Sequence, residues 1–208
     1  MRKFAALGGL AWLALAVQIS LPSAVMAAAP AAAARVASLS PRAHALLLKR
    51  ELDAAETQLR KRLEAMPAGN QIVMLRDDEQ LTLRIPTREL FDDDSAQLRA
   101  RGAQALPWAA VSELLRRRYR LAAQINVYTD SIGGQDANRG FTQQRALALL
   151  SALHAASIRT ARVAGSGQGS SAELAGDDTP EGRDQNRRVE VVFGLPQPGF
   201  PEPGPPAS

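Results

Sequence analysis

Apolar positions fall at helical spacing between residues 41 and 67, where Leu48, Leu52, Ala55, Leu59 and Leu63 line one stripe among Lys, Arg, Asp and Glu. The stripe predicts an amphipathic helix, helped by Glu56 and Arg60 four residues apart in the favourable order. Pro67 and Gly69 end it. Its apolar face has two comparable uses, docking on the domain that follows or weak dimerisation. Next, "IVML" and "LTLRIP" flank the polar tip Arg76-Asp77-Asp78-Glu79, the pattern of a hairpin. From Asp92 onward an acidic start, Ser95 as a cap, and apolar Leu98, Leu106, Ala109, Ala110, Leu114 and Leu115 predict a helix that Pro107 breaks or restarts.

"AQINVY" is then a short strand, and Gly133-Gly134 belong to a loop. Asn138 opens a further helix whose buried stripe is Ala146, Leu149, Leu150 and Leu153. "TARVAG" reads as a strand, the Gly, Ser and Asp-rich stretch from Gly165 to Asn186 as a long loop, and "RRVEVVFG" as a half-buried strand. The order β, α, β, α, β, β predicts an α/β fold, a βαβαββ sandwich with helices packed on a mixed sheet and preceded by the N-terminal helix.

Composition decides which parts lie outside that domain. Residues 1–27 carry Arg2-Lys3, an apolar run, and Val25 and Ala27 at the spacing signal peptidase needs, so they read as a secretory signal. Pro22 and the Ala-rich exit favour cleavage over an uncleaved anchor, whose length the apolar run approaches. Residues 28–40 read as an Ala-rich linker, 41–67 as the amphipathic helix, 72–194 as the domain, and 195–208 as a Pro-rich disordered tail. The chain has no cysteine, which excludes disulfides, thiol catalysis and a lipidated cysteine. Removing Arg2 and Lys3 from the formal +4 leaves +2, too little for a nucleic-acid binder. "RRRYR" at Arg116 to Arg120 reads as the solvated, cation-favouring end of a helix.

The catalytic inventory is poor. His44 and His154 lie on different helices, and no acid orients the local pair Ser151 and His154, so no triad is assigned. "GSGQG" lacks the Lys-Ser/Thr of a phosphate loop and reads as a flexible turn. Asp92, Asp93 and Asp94 lack the spacing of a calcium loop and suit a helix N-terminus, so no metal and no cofactor are assigned.

What remains is a lone carboxylate, Asp130, at the end of a strand and a lone Arg145 two turns into the next helix. Asn138, Thr142 and Arg145 share one helical face. With Asp130 they make a polar cleft suited to an amino acid's α centre, Asp130 taking the ammonium and the planar guanidinium taking the carboxylate. On spacing alone a structural ion pair between Asp130 and Arg145 is the favoured account.

"YTDSIGGQDANRGFTQQRALALLSAL", "GSGQG" and "NRRVEVVF" resemble, in order and spacing, the peptidoglycan-binding domain at the C-terminus of outer membrane protein A. Peptidoglycan-associated lipoproteins and flagellar motor stators share that domain. The matched positions are Thr129-Asp130, Gly133, Asn138, Arg145-Ala146 and Asn186-Arg187-Arg188-Val189, and "ELFDDDSAQL" resembles the family's Phe-Asp strand end at Phe91-Asp92. The likeness runs from about Ile72 to Phe193. Departures are Val127-Tyr128 before Thr-Asp, Phe141-Thr142 in place of Leu-Ser, Asp93 at an often aromatic position, and the absence of an early Pro in the loop from Ser170 to Glu181.

The resemblance implies a non-catalytic binder of diaminopimelate-type peptidoglycan, exported to the periplasm and attached to cell wall or outer membrane. It assigns ligand contacts to Asp130, Arg145, Asn138, Thr129, Thr142, Phe91, Asp92 and Arg187. Two rivals stand beside it. One is an envelope scaffold with a degenerate cleft, acting through residues 41–67 on a second copy or an envelope protein. The other is a wall hydrolase, disfavoured by the missing nucleophile and metal set.

Overall fold

The computed structural model describes residues 39–66, 71–92, 94–99 and 106–196. The expected signal segment, most of the linker, nearly all of the Pro-rich tail, and Asp93 lie outside the described residues.

Helix α1 (Pro41–Glu64) begins where Ser40 accepts the Ala43 N–H on its hydroxyl at 3.3 Å and Pro41 presets the first turn. Strands β1 (Val73–Arg76) and β2 (Leu81–Pro86) pair antiparallel as the expected hairpin. At its tip the Asp77 carboxylate accepts the Glu79 and Gln80 N–H groups, both at 2.8 Å, and these bonds hold its pKa below the ordinary carboxylate value. Then come α2 (Leu106–Arg117), β3 (Ala122–Tyr128), α3 (Gln135–Ala155), β4 (Val163–Gly169), α4 (Pro180–Asn186) and β5 (Arg188–Gly194).

The five strands form one mixed sheet in the order β1-β2-β5-β3-β4, with β3 and β4 parallel and the other pairs antiparallel. Helix α3 is the crossover that a parallel pair needs. Alternation builds the core: Leu83, Val191 and Ile125 lie in one row across β2, β5 and β3, and Ile85, Val189 and Val127 in the next, all fully buried. The opposite face carries Arg84, Glu190 and Asn126 in register.

Three sequence expectations change, and one open choice is decided. The α1 stripe, for which docking and dimerisation stood level, docks on the chain's own domain: Leu48, Leu52, Ala55, Leu59 and Leu63 are buried in the core. No helix begins at Asp92. Phe91 bridges to Leu98 across a turn in which Ser95 accepts the Gln97 N–H, and among the described residues the helix is α2, Leu106–Arg117. "RRRYR" is only partly solvated, because Arg118 and Arg120 turn onto the buried Glu51 of α1, Arg120 at 3.5 Å.

The third change concerns the long loop. "GSGQG" belongs to strand β4, and a Cβ on Gly167 would lie 2.1 Å from the Gln143 nitrogen of α3. Glycine lets helix and strand approach that closely. The loop also contains α4, started by Thr179, which accepts the Gly182 N–H at 3.1 Å, with Pro180 at the first helical position. The observed order is therefore ββαβαβαβ, with a hairpin in place of the first strand and a helix between the last two.

Candidate functional site

Asp130 leaves β3 just after Thr129, whose N–H donates to Gly169 O at 2.9 Å and prolongs the ladder toward β4. The chain then turns through Gly133, at φ +97°, where a side chain would be strained. Asn138 faces back from the first turns of α3 and donates its amide to the Asp130 carbonyl at 3.2 Å. Asp130 and Asn138 are both buried.

The Asp130 carboxylate is not paired with Arg145. Its Oδ1 accepts the Ile132 N–H at 3.2 Å, and its Oδ2 accepts Arg187 Nη1 at 2.9 Å. Arg187 also reaches Asp184, and the Asp184 bond first, with the Asp130 charge adding to it, raises its pKa. The structural ion pair that spacing favoured is thus replaced by one with Arg187.

Arg145 is held elsewhere. Its Nε donates to Ser95 O at 2.8 Å, and its guanidinium carbon stands 4.2 Å from the centre of the Phe141 ring and 4.9 Å from that of Phe91. The segment that supplies Ser95 is pinned in turn, since Arg99 donates to Phe91 O at 2.7 Å and Asp92 N donates to Gln97 O at 3.2 Å. Side chains on a helix lean toward its N-terminus, so Arg145 leans toward Asn138 and the Asp130 end of the same buried face.

The predicted residues therefore divide. Asp130, Thr129, Asn138 and Arg187 gather at the end of β3, and Arg145 and Phe91 gather over the 91–99 turn. Helix α3 joins the two groups. Thr142 is fully buried, and its hydroxyl donates to Asn138 O at 2.8 Å and accepts the Gly169 N–H at 3.0 Å, which binds α3 to β4. Phe91 is fully buried under Arg145, and Asp92 is exposed with its carboxylate 3.6 Å from Arg99.

Several supporting residues escaped sequence reasoning. Asn186 accepts the Leu174 and Ala175 N–H groups and donates to Ala175 O and to Asp177, fastening the loop before α4. Asp177 accepts the Ser131 N–H at 2.5 Å, beside Asp130. Burial pushes the Asp177 carboxyl up, but hydrogen bonds from Ser131 and Asn186 outweigh it and leave the pKa below the ordinary value. The Thr179-Pro180-Glu181 triplet was the available signal for α4, which places Asp184 and Arg187. A groove of about 520 Å³ beside α4, lined by Arg84, Arg88, Leu174 and Asp184 among others, meets the cluster at Asp184. Among the described residues no group of three or more His, Asp or Glu could hold a metal ion. No helix among them is long and apolar enough to cross a membrane.

A five-stranded mixed sheet with a buried carboxylate at the end of β3 and a stacked arginine on α3 makes an α/β module of OmpA-like fold. Residues 90–187 match the model of the OmpA family. The chain is 34% identical over 142 residues to the "Probable lipoprotein YiaD" of Escherichia coli strain K12, a match covering 68% of this chain and 62% of that protein. It is 41% identical over 68 residues to the "Peptidoglycan-binding protein ArfA" of Mycobacterium tuberculosis, 33% of this chain and 21% of that one. The chain thus spans less than two thirds of the length of these relatives. In fold it is similar to a MotB-like protein from Desulfovibrio vulgaris, with a TM-score of 0.65 at 23% identity, covering 73% of this chain and 99% of that structure.

Proposed function

We propose that this chain binds peptidoglycan non-covalently through the diaminopimelate residue of the stem peptide, and so holds to the cell wall on the periplasmic side of the envelope. One observation carries the reading: a guanidinium held by two aromatic rings and a backbone carbonyl shares a buried helix face with the residue that fixes Asp130. The distal end of diaminopimelate is an α-amino acid centre, with an ammonium for Asp130 and a carboxylate for the planar fork of Arg145. The peptidoglycan binding stated in the name of the ArfA relative supports the same reading. It is a reading of binding, not of catalysis, because neither His44 on α1 nor His154 on α3 has a place at the cleft. The scaffold reading loses its main surface, since the α1 stripe is spent on the protein's own core.

Co-sedimentation with purified sacculi tests it. The chain is expected to pellet with diaminopimelate-type sacculi and to stay soluble with lysine-type sacculi, whose side chain lacks the second α centre. Hydrogen bonds to charged groups contribute about 1.5–3 kcal/mol, so Asp130→Ala and Arg145→Ala each weaken binding about ten- to a hundredfold. Equal binding to both wall types, or unchanged binding by both variants, sinks the reading.

A further inference from the structure

If Asp130 is to hold an ammonium, its present partners matter, and both oxygens of its carboxylate are already engaged. The backbone N–H of Ile132 on Oδ1 is compatible with a ligand, since a carboxylate oxygen accepts more than one hydrogen bond. Arg187 on Oδ2 is not. It is a cation on the same carboxylate that an ammonium would approach, so the two compete for one negative charge and repel each other.

Arg187 is also shared. Its second amino group meets Asp184, whose other oxygen accepts Arg88 Nη1 at 3.2 Å, so Asp130, Arg187, Asp184 and Arg88 form a row of alternating charge running outward from the cleft. Burial along this row is unequal. The Asp130 side chain is 8% exposed, Arg187 39% and Asp184 47%. Asp130 is fixed, whereas the arginine has solvent and a second carboxylate to move toward.

We infer, resting on the reading above, that Arg187 is an internal stand-in for the ligand's ammonium, a cation that must shift from Asp130 onto Asp184 before an amino acid α centre is gripped. The contact sets specificity. A simple amine gains only what Arg187 gives up, whereas an α centre adds its carboxylate bonds to Arg145 and so offsets the displacement. Because an α centre is a zwitterion, removing the Arg187 charge frees Asp130 without a large change in the ligand's overall attraction to the site.

The signs of three variants test this by calorimetric titration with meso-diaminopimelate, each protein first shown by thermal denaturation to be folded. Arg187→Gln removes the competitor and is expected to tighten binding about two- to fivefold, the scale set by a partly exposed ion pair. Asp184→Asn leaves Arg187 wholly to Asp130 and is expected to weaken binding by a similar factor. The double variant is expected to follow Arg187→Gln. Weaker binding by Arg187→Gln makes Arg187 a ligand contact and overturns the inference. Should Arg187→Gln fail to fold, Asp184→Asn decides alone, with unchanged or tighter binding overturning the inference. Asp130→Asn separates the two levels. If it leaves wild-type affinity intact, the cleft reading itself falls, whereas loss of binding by Asp130→Asn with the wrong sign for Arg187→Gln removes only the stand-in.

Discussion

The guanidinium carbon of Arg145 stands 4.2 Å from the centre of the Phe141 ring, which occupies the position just before the Thr142 that ties α3 to β4. A planar cation held over an aromatic face keeps its two-pronged edge in one orientation. Phe141→Leu removes the ring and keeps an apolar side chain. A cation–π contact contributes about 0.5–1 kcal/mol at such sites, so diaminopimelate affinity is expected to fall about two- to fivefold. Arg145→Lys keeps the charge and loses the fork, and is expected to fall about tenfold or more. Titration of both variants checks the order, and a lysine variant that binds as well as wild type would show that charge alone suffices.

Thr142 has the opposite profile, because its hydroxyl is committed to the Asn138 carbonyl and the Gly169 N–H. Thr142→Val keeps the shape and strands a buried N–H, at a cost of about 1–3 kcal/mol in stability. Its unfolding midpoint is expected to drop, while binding measured well below that midpoint stays close to wild type. Gly167→Ala is expected to be far worse, since its Cβ would stand 2.1 Å from the Gln143 nitrogen. Gly134→Ala serves as the control, having nothing within 4 Å of its Cβ. Chemical denaturation of all three variants measures the contrast. A Gly167→Ala protein as stable as Gly134→Ala would show that α3 and β4 separate easily.

Leu52 and Leu59 sit on α1 with no exposed surface. Placing two carboxylates there removes apolar contacts worth about 2–5 kcal/mol per leucine and buries unpaired charge besides. Leu52→Asp with Leu59→Asp is expected to unfold the whole domain and to abolish binding with it. Circular dichroism and sacculus co-sedimentation on the double variant check this. A folded double variant that binds sacculi would return the helix to a separate role.

How much of this was legible follows from what each signal reports. The α1 stripe and the β2, β3 and β5 strands were readable because periodicity marks one buried face, yet periodicity does not say what covers that face, which left docking and dimerisation level. The pairing of β5 between β2 and β3 is a long-range fact with no local trace. "GSGQG" misled because glycine was read as freedom, whereas Gly167 is small to admit the α3 backbone. Asp130, Asn138 and Arg145 were findable from a strand end and a helix face. Their actual partners, Arg187 and Ser95, lie 57 and 50 residues away in sequence, beyond any spacing argument.

Asp177 links the cleft to pH. Its carboxylate accepts the Ser131 N–H beside Asp130 and the Asn186 amide, with Arg183 Nη1 bonded to its carbonyl at 2.7 Å. Burial raises its pKa, and the bonds from Ser131 and Asn186 and the Arg183 charge together lower it by more, to below the ordinary 3.8. A group whose pKa is depressed by folding contributes stability above its unfolded value, and that contribution is lost as pH falls through the folded value. The fastening of the Ser131 turn is therefore expected to be complete at neutral pH, to persist through the ordinary carboxylate range, and to fail only in stronger acid. Asp177→Asn keeps an acceptor oxygen and removes the charge, so it is expected to flatten this dependence and to loosen the turn at neutral pH. The Ser131 amide proton shift, followed by NMR from pH 7 downward in wild type and variant, reads the effect directly. A wild-type midpoint above the ordinary carboxylate value, or an unchanged titration in Asp177→Asn, would remove Asp177 from control of the cleft.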